Sequence, residues 1–309
     1  MAKRATRESY GIALQEIGKD DRIVVLDADL SKSTKTEMFK KLYPERFINA
    51  GIAEANMMSV AAGLASCGKI VFASSFAMFA AGRAFEQIRN SISYPGLNVK
   101  IGASHAGISV GEDGGSHQCL EDIALMRAIP GMVIINPADD IEAQQATKAA
   151  AEYQGPVYLR FGRLAVLDVN PEDYKFELGK GVTLKDGQDV TIIATGLMVE
   201  KALDAARMLD EKGVSARVIN IHTIKPIDKK IIIKAARETG AIVTAEEHSV
   251  YGGLGSAVAE VVCENAPCPV KMVGIDKFGV SGTPAELFGR YGLTAENIVK
   301  NAEEIIKLK

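Results

Sequence analysis

The hydrophobic positions along the chain follow two alternating spacings. Short runs rich in Ile and Val predict strands, and apolar residues three or four positions apart predict the helices between them. In the first half, the predicted strands are Arg22 to Ala28, Lys69 to Ala73, Val99 to Ala103, Met132 to Asn136 and Pro156 to Phe161. The predicted helices begin at Thr6 and then cover Ala53 to Cys67, Phe79 to Asn90, Leu120 to Arg127 and Asp139 to Tyr153.

The alternation stops between Asp168 and Gln188, where Pro171 and several glycines lie among charges, and this predicts a linker. A second alternating series follows it. Its predicted strands are Val190 to Ala194, Ala216 to Ile221, Ala241 to Ala245 and Val270 to Ile275. Its predicted helices are Met198 to Glu211, Asp228 to Thr239, Gly255 to Glu264 and Thr294 to Leu308.

Strands that alternate with helices indicate parallel or mostly parallel sheets flanked by helices. We therefore predict an α/β fold with two domains. The first domain covers residues 1–167, the linker covers 168–188 and the second domain covers 189–309.

The composition is that of a globular protein: 309 residues, 47% hydrophobic, with a formal net charge of −3. It shows no basic surface for nucleic acid. The four cysteines have no CxxC spacing, which favours free thiols in a reducing compartment. No apolar run approaches the ~20 residues of a membrane span, and the first residues lack a signal-peptide pattern. We expect a cytoplasmic protein with no nucleic-acid or membrane partner.

Glu54 is a lone carboxylate at the start of a predicted helix of small, apolar residues. Small neighbours let another surface pack closely, and a carboxylate buried there must be hydrogen-bonded or protonated. Two interpretations stay open from the residues alone. Glu54 either serves a ligand in a buried site or is favoured at a helix start by the helix dipole.

A glycine-rich loop from Ser104 to Gln118 follows the strand that ends at Ala103. Five of its polar side chains are closely spaced candidates for chemistry: His105, Glu112, Asp113, Ser116 and His117. Ligands of open α/β sheets bind at the carboxyl ends of strands, where histidines suit proton transfer and Asp113 suits hydroxyl recognition. A flexible surface loop is the alternative. The loop has no HxH or HExxH spacing, so we predict no metal ligands in this chain.

Two further groups of residues are candidates for ligand contacts. Phe76 and Phe79 follow a predicted strand and could stack on a flat heterocycle, with core packing as the alternative. Side chains near the edges of predicted elements could bind a phosphate, with solvated surface positions as the alternative. These are Arg7, Ser33, Arg160 and Arg163.

Together these segments resemble the C-terminal half of the transketolase family of thiamine-diphosphate enzymes, over nearly the whole chain. Gly51-Ile-Ala-Glu-Ala-Asn-Met resembles the segment with the cofactor-activating glutamate. Gly111-Glu-Asp-Gly-Gly-Ser-His-Gln resembles the substrate loop and is the most specific of these motifs. The Phe79-Ala-Ala-Gly run resembles the segment whose ring stacks on the pyrimidine. Asp27-Ala-Asp-Leu-Ser-Lys-Ser resembles a loop whose serine contacts the sugar phosphate.

The resemblance implies a pyrimidine-binding domain over 1–167, a transketolase C-terminal domain over 189–309, and thiamine diphosphate as cofactor. It implies that a two-carbon glycolaldehyde unit passes from a ketose phosphate to an aldose phosphate, as in the pentose phosphate pathway. The implied catalytic residues are Glu54, His105 and His117, and the implied cofactor contacts are Glu54, Phe76 and Phe79. The implied substrate contacts are Arg7, Ser33, His105, Asp113, His117 and Arg160, with Arg163 as an alternative to Arg160.

Two departures from the family pattern affect the interpretation. The Gly-Asp-Gly motif that holds diphosphate and Mg²⁺ in the family is absent, which implies a second, N-terminal transketolase subunit that holds the metal. We therefore expect a heterotetramer of two plus two subunits, inactive without the partner. Ala106 stands where transketolases often carry an acid, so contacts to the donor sugar are expected to differ.

Other functions remain open from the sequence. A deoxyxylulose-phosphate synthase-like or a 2-oxoacid dehydrogenase β-like subunit would use the same cofactor, although two histidines in one loop favour sugar substrates. A non-catalytic nucleotide-binding or scaffold subunit is the alternative from a different class.

Overall fold

The structure of the chain, a computed structural model, describes residues 3–309. Its strands are β1 Lys3–Ala5, β2 Ile23–Asp27, β3 Phe47–Asn49, β4 Ile70–Phe76, β5 Val99–Ser104, β6 Val133–Ile135, β7 Val157–Arg160, β8 Ala165–Leu167, β9 Val182–Lys185, β10 Val190–Ala194, β11 Ala216–Asn220, β12 Thr223–Lys225, β13 Ile242–Ser249 and β14 Val270–Ile275. Its α-helices are α1 Thr6–Ile17, α2 Ser31–Thr34, α3 Glu37–Leu42, α4 Glu54–Ser66, α5 Phe85–Gln87, α6 Asp122–Arg127, α7 Asp140–Glu152, α8 Met198–Glu211, α9 Lys229–Thr239, α10 Leu254–Asn265, α11 Pro284–Tyr291 and α12 Ala295–Ile306.

The first sheet has seven strands in the order β12-β6-β7-β5-β4-β2-β3. All of its pairings are parallel except that of β12 with β6. Alternate residues of the central strands enter two cores. One core lies beneath α4, α6 and the segment 77–92, and the other lies beneath α1, α3 and α7. Because both faces are covered, β2, β4 and β5 are buried along their whole length.

The second sheet has five strands in the order β14-β13-β10-β11-β9, parallel except for β9. Helices α8 and α12 cover one face, and α9 and α10 cover the other. The predicted α/β class with mostly parallel sheets flanked by helices is therefore confirmed.

The structure differs from the predicted elements in three places. Residues 182–185, inside the predicted linker, form the antiparallel edge strand β9. The helix predicted from Phe79 is divided into π-helical turns at Met78–Arg83 and Ile88–Ser93, with α5 between them. Strand β12 belongs to the second half of the chain by sequence but pairs with the first sheet. No helix among residues 3–309 is long and apolar enough to cross a bilayer.

Candidate active site

Glu54 is the first residue of α4, and its side chain is buried against the carboxyl end of β4. It is 3% exposed. The Ser75 hydroxyl donates to Glu54 Oε1 at 3.4 Å, and Arg83 Nη1 donates to Oε2 at 3.4 Å. Both distances exceed the usual range for hydrogen bonds. The carboxylate therefore has unused acceptor capacity in a nearly dry position, which fits a nitrogen heterocycle that brings its own donor.

A continuous row of aromatic rings lies beside Glu54. The ring centroids of His105 and Phe76 are 3.9 Å apart, those of Phe76 and Phe79 are 5.8 Å apart, and His117 meets Phe79 edge-on at 5.3 Å. The Arg83 guanidinium lies over the Phe79 ring, 4.2 Å from its centroid. Four rings thus lie in one continuous row, which can contribute ring faces or edges to a flat heterocycle.

His105 sits in a strained backbone position immediately after β5. Its φ of 57° is uncommon for a residue other than glycine, and such strain concentrates at functional sites. Its Nε2 is 3.1 Å from Arg7 Nη1, and its Nδ1 is 3.0 Å from the Ser104 hydroxyl. Because a guanidinium only donates, Nε2 accepts and the ring proton is assigned to Nδ1.

The electrostatic surroundings of His105 are strongly positive. Burial, followed by the charges of Arg7 and Arg163, lowers the pKa of His105 to about 3. His117 and Lys35 act in the same direction. The His105 ring is therefore neutral near pH 7, and the cations around it form a region that suits an anionic group.

Arg7 in α1 connects His105 to the loop that carries Ser33. Its Nη1 also donates to the Ser33 carbonyl oxygen at 2.9 Å. Its Nε is buried without a hydrogen-bond partner among the described residues. A buried guanidinium nitrogen without a partner is unusual and is explained if an anionic ligand completes its contacts.

The loop of Ser33 is held by Asp27 at the end of β2. The buried Asp27 carboxylate accepts the Leu30 N–H at 2.6 Å and the hydroxyls of Thr34 and Thr36 at 2.6 and 2.8 Å. Burial raises the pKa of Asp27, and these donors oppose the rise. The sequence analysis assigned Asp27 no separate role, but in the structure it holds the loop that places Ser33.

We call residues 104–118 the histidine loop, and its two ends differ in placement. His117 joins the aromatic row, and its Nδ1 is 3.0 Å from the Ser116 hydroxyl. Asp113 is exposed at the end of the 3₁₀ segment Ile108–Asp113. The contact of Asp113 with a sugar therefore stays a prediction.

The assignment of Arg160 to a substrate phosphate is corrected by the structure. Arg160 is 3% exposed, its Nε donates to Asp122 Oδ2 at 2.8 Å, and its Nη2 donates to the Glu247 carbonyl oxygen at 2.9 Å. Burial would lower the pKa of Arg160, but the Asp122 carboxylate outweighs it and raises that pKa. The Arg160 guanidinium is thus paired with Asp122 in the protein interior. Arg163, the alternative phosphate ligand, has a side chain that is 38% exposed.

Arg83 is a site residue that the sequence interpretation missed. It follows Phe79 by four positions, and that spacing on a helical segment places a side chain over the earlier one.

The sequence predicts no metal ligands in this chain. Among residues 3–309, no group of three or more His, Cys, Asp and Glu side chains is arranged to hold an ion.

Comparison with known proteins agrees with this geometry. Residues 2–167 match the model of the transketolase pyrimidine-binding domain, and residues 179–298 match that of the transketolase C-terminal domain. A Methanocaldococcus jannaschii protein described as "Putative transketolase C-terminal section" is 54% identical over 309 residues, covering 98% of this chain and 97% of the relative. A 6-deoxy-6-sulfo-D-fructose transketolase subunit of Clostridium sp. (strain MSTE9) is 45% identical, covering 98% and 95%.

A solved split-gene transketolase, an inactive β4 tetramer, is 56% identical and superposes with a TM-score of 0.93 over 99% of each chain. The chain therefore belongs to the transketolase family, a family of transferases that use thiamine diphosphate. Within that family it corresponds to the C-terminal section, the part that carries the pyrimidine-binding and C-terminal domains. The predicted family and the predicted split-subunit function are confirmed.

Proposed function

We propose that this chain forms the pyrimidine side of a thiamine-diphosphate site and transfers a two-carbon unit between sugars with an anionic end group, together with a partner subunit. The observation that carries the proposal is the buried, under-bonded Glu54 beside a row of aromatic rings. A carboxylate in that position is expensive unless a ligand completes its hydrogen bonds.

The residues present fit thiamine diphosphate. Glu54 would hydrogen-bond the pyrimidine ring, and Phe76 and Phe79 would stack against it. When bound, thiamine diphosphate supplies the carbon nucleophile and the electron sink that cleavage of a ketose requires. Glu54 would share a proton with the pyrimidine ring at its carboxyl oxygens, and the aromatic rings would exclude water from that hydrogen bond, which strengthens it.

The same geometry supports roles for the two histidines. His117 stands at the far end of the aromatic row, where its ring can meet substrate hydroxyls. His105 Nε2 accepts a hydrogen bond from Arg7 Nη1. An anionic sugar end group that draws Arg7 toward itself would free Nε2 to accept a hydrogen bond from a hydroxyl of the same sugar. Binding of the anion and recognition of the hydroxyl are thereby linked through one guanidinium.

The anionic end group is proposed to lie between Arg7, Ser33 and Arg163. Lys35 adds a further positive charge to this side of His105. A ketose phosphate is the expected substrate, as in the pentose phosphate pathway. The sulfo-sugar transketolase subunit among the relatives suggests a sulfonate as the alternative end group. Either anion accepts several charge-assisted hydrogen bonds, which is what this region offers.

The partner is proposed to be the N-terminal transketolase subunit, which would hold the diphosphate through Mg²⁺. Two chains of each kind would form the heterotetramer. The related split-gene chain that forms an inactive β4 tetramer supports this division, because that tetramer contains one kind of subunit. Self-association without the partner would then give an assembly that lacks the metal-binding half of each site.

The test compares turnover of a ketose phosphate by the chain alone and by the chain mixed with its partner, both with thiamine diphosphate and Mg²⁺. Turnover is expected only in the mixture. Glu54→Gln keeps the size of the side chain and should lower kcat by on the order of 10²-fold or more, with an unchanged melting temperature. Robust turnover by the chain alone, or wild-type kcat in the reconstituted Glu54→Gln variant, would refute the proposal.

A further inference from the structure

The glycines of the histidine loop are packed against the second domain. A Cβ built on Gly107 would lie 2.3 Å from Glu247 Oε1, and one on Gly115 would lie 2.7 Å from the Gly279 carbonyl oxygen. Cβ positions on Gly111 and Gly114 would meet Pro284 and Ser281 at 3.3 and 3.5 Å. At each of these positions an atom of the second domain lies close to where a Cβ would be. The conformation of the loop therefore depends on close contact between its glycines and that domain.

Side-chain hydrogen bonds fasten the same loop to the second domain along its length. At its start, the Ser109 N–H donates to Glu247 Oε1 at 2.6 Å. In the middle, the Ser281 hydroxyl donates to the Glu112 carbonyl oxygen at 2.7 Å. At its end, Gln118 Nε2 donates to the Val280 carbonyl oxygen at 2.9 Å.

Glu247 is the carboxylate that the second domain contributes to these hydrogen bonds. It lies in β13, is 4% exposed, and its carboxylate fills the space beside Gly107, two residues after the strained His105. Burial raises the pKa of Glu247, and the nearby Arg160 and the hydrogen bond from the Ser109 N–H oppose the rise. The Ser109 N–H and the Gly107 backbone are therefore the loop groups on which this carboxylate acts directly.

We propose that Glu247 is a positioning residue of the second domain that sets the conformation of the histidine loop, and through it the placement of His105 and His117 toward the sugar. The inference rests on the proposed function for the role of those histidines. It gives the second domain a definite part in substrate recognition, although no side chain of that domain belongs to the aromatic row or to the Arg7 contacts.

The conservative variant separates hydrogen-bond geometry from charge. In Glu247→Gln the amide oxygen can still accept the Ser109 N–H, and Arg160 keeps its Asp122 partner. In Glu247→Ala the Ser109 N–H loses its acceptor and a void opens beside Gly107. The matched control is Glu246→Ala. Glu246 is the adjacent buried carboxylate in β13, and it accepts the N–H groups of Leu254 and Gly255 instead of loop groups.

The first measurement is amide hydrogen exchange of peptides covering residues 104–118, made on the chain alone. Glu247→Ala should speed exchange of these peptides by on the order of 10- to 100-fold. Glu247→Gln should exchange like the wild type. Glu246→Ala should lower the melting temperature without speeding exchange of the loop.

The second measurement is steady-state kinetics of the complex with the partner. Glu247→Ala should raise KM for the sugar at least tenfold while the affinity for thiamine diphosphate is unchanged, and Glu247→Gln should restore KM. If Glu247→Ala does not fold, Ser281→Ala removes the exposed anchor and should speed exchange around Glu112 alone.

Wild-type exchange in Glu247→Ala would overturn the inference, and so would equal acceleration by Glu246→Ala. For Ser281→Ala, wild-type exchange around Glu112 would also overturn it. An inactive wild-type complex would instead count against the proposed function, because the exchange measurement does not depend on turnover.

Discussion

Replacing Arg160 with Met should destabilise the protein without a specific effect on substrate binding. Methionine keeps the aliphatic volume but removes the donor at 2.8 Å from Asp122 Oδ2. Asp122 is fully buried and would keep the Tyr158 hydroxyl at 2.9 Å as its nearest donor. Removing one partner of a buried ion pair leaves an uncompensated charge and costs about 3–5 kcal/mol.

That loss corresponds to a fall in melting temperature of roughly 5–8 °C, taking about 1.5 °C per kcal/mol for 309 residues that unfold together. The assay is thermal unfolding of the purified chain at pH 7. The control is Arg163→Met, whose partner Glu112 has a side chain 60% exposed, so unfolding should change by at most about 0.5 kcal/mol.

A double variant makes the Arg160 prediction stricter. In Arg160→Met combined with Asp122→Leu the unpaired Asp122 carboxylate is removed, so part of the lost stability should recover relative to Arg160→Met alone. A wild-type melting temperature for Arg160→Met, accompanied by a raised KM for phosphorylated sugars, would refute the interior assignment and restore Arg160 as a phosphate ligand.

Two further predictions concern Arg7, beside His105, and the buried His222. Arg7→Ala should raise KM about 10- to 100-fold for phosphorylated sugars, but little for unphosphorylated analogues, because charge-assisted contacts are lost; equal effects on both substrates would contradict this. Burial lowers the pKa of His222 to about 3, so the unfolded chain binds a proton below pH ~6.5 that the folded chain excludes. Stability from this group is complete above that pH and is lost as pH falls toward 3. Between pH 6 and 4, the free energy of unfolding of His222→Phe should therefore fall by about 1.4 kcal/mol less per pH unit than that of the wild type. The measurement is urea unfolding at several pH values. An equal dependence of the unfolding free energy on pH in the two proteins would count against the prediction.

Much of the site could be predicted from the sequence because its residues follow the ends of strongly patterned strands. Phe76 and His105 come directly at the carboxyl ends of β4 and β5, and parallel neighbours bring such ends to one edge. Glu54 could be singled out because a lone acid at the start of an apolar helix is chemically conspicuous. For these residues, local pattern and tertiary position agree.

The location of the Arg160 side chain could not be predicted in this way. An arginine at the end of a strand points either to solvent or into the protein, and the choice depends on its partners. Those partners, Asp122 and Glu247, are 38 and 87 residues away along the chain. The edge strand β9 could not be predicted from the sequence for a related reason. Its few residues lie among glycines and charges, and its pairing with β11 comes from tertiary contact rather than from local propensity.

Strand β12 couples the folding of the two domains, because it belongs to the second half of the chain but pairs within the first sheet. Although it follows the linker, it supplies the edge of the first sheet, where Thr223 is paired with Ile135 and Lys225 with Ile134. Lys225 also donates to the carbonyl oxygens of Arg127 and Ile129. A first domain expressed alone would expose β6 as an open edge ready to pair with another chain. The two domains should consequently melt in a single transition, and a protease cut in the linker should leave two fragments that stay together until denatured.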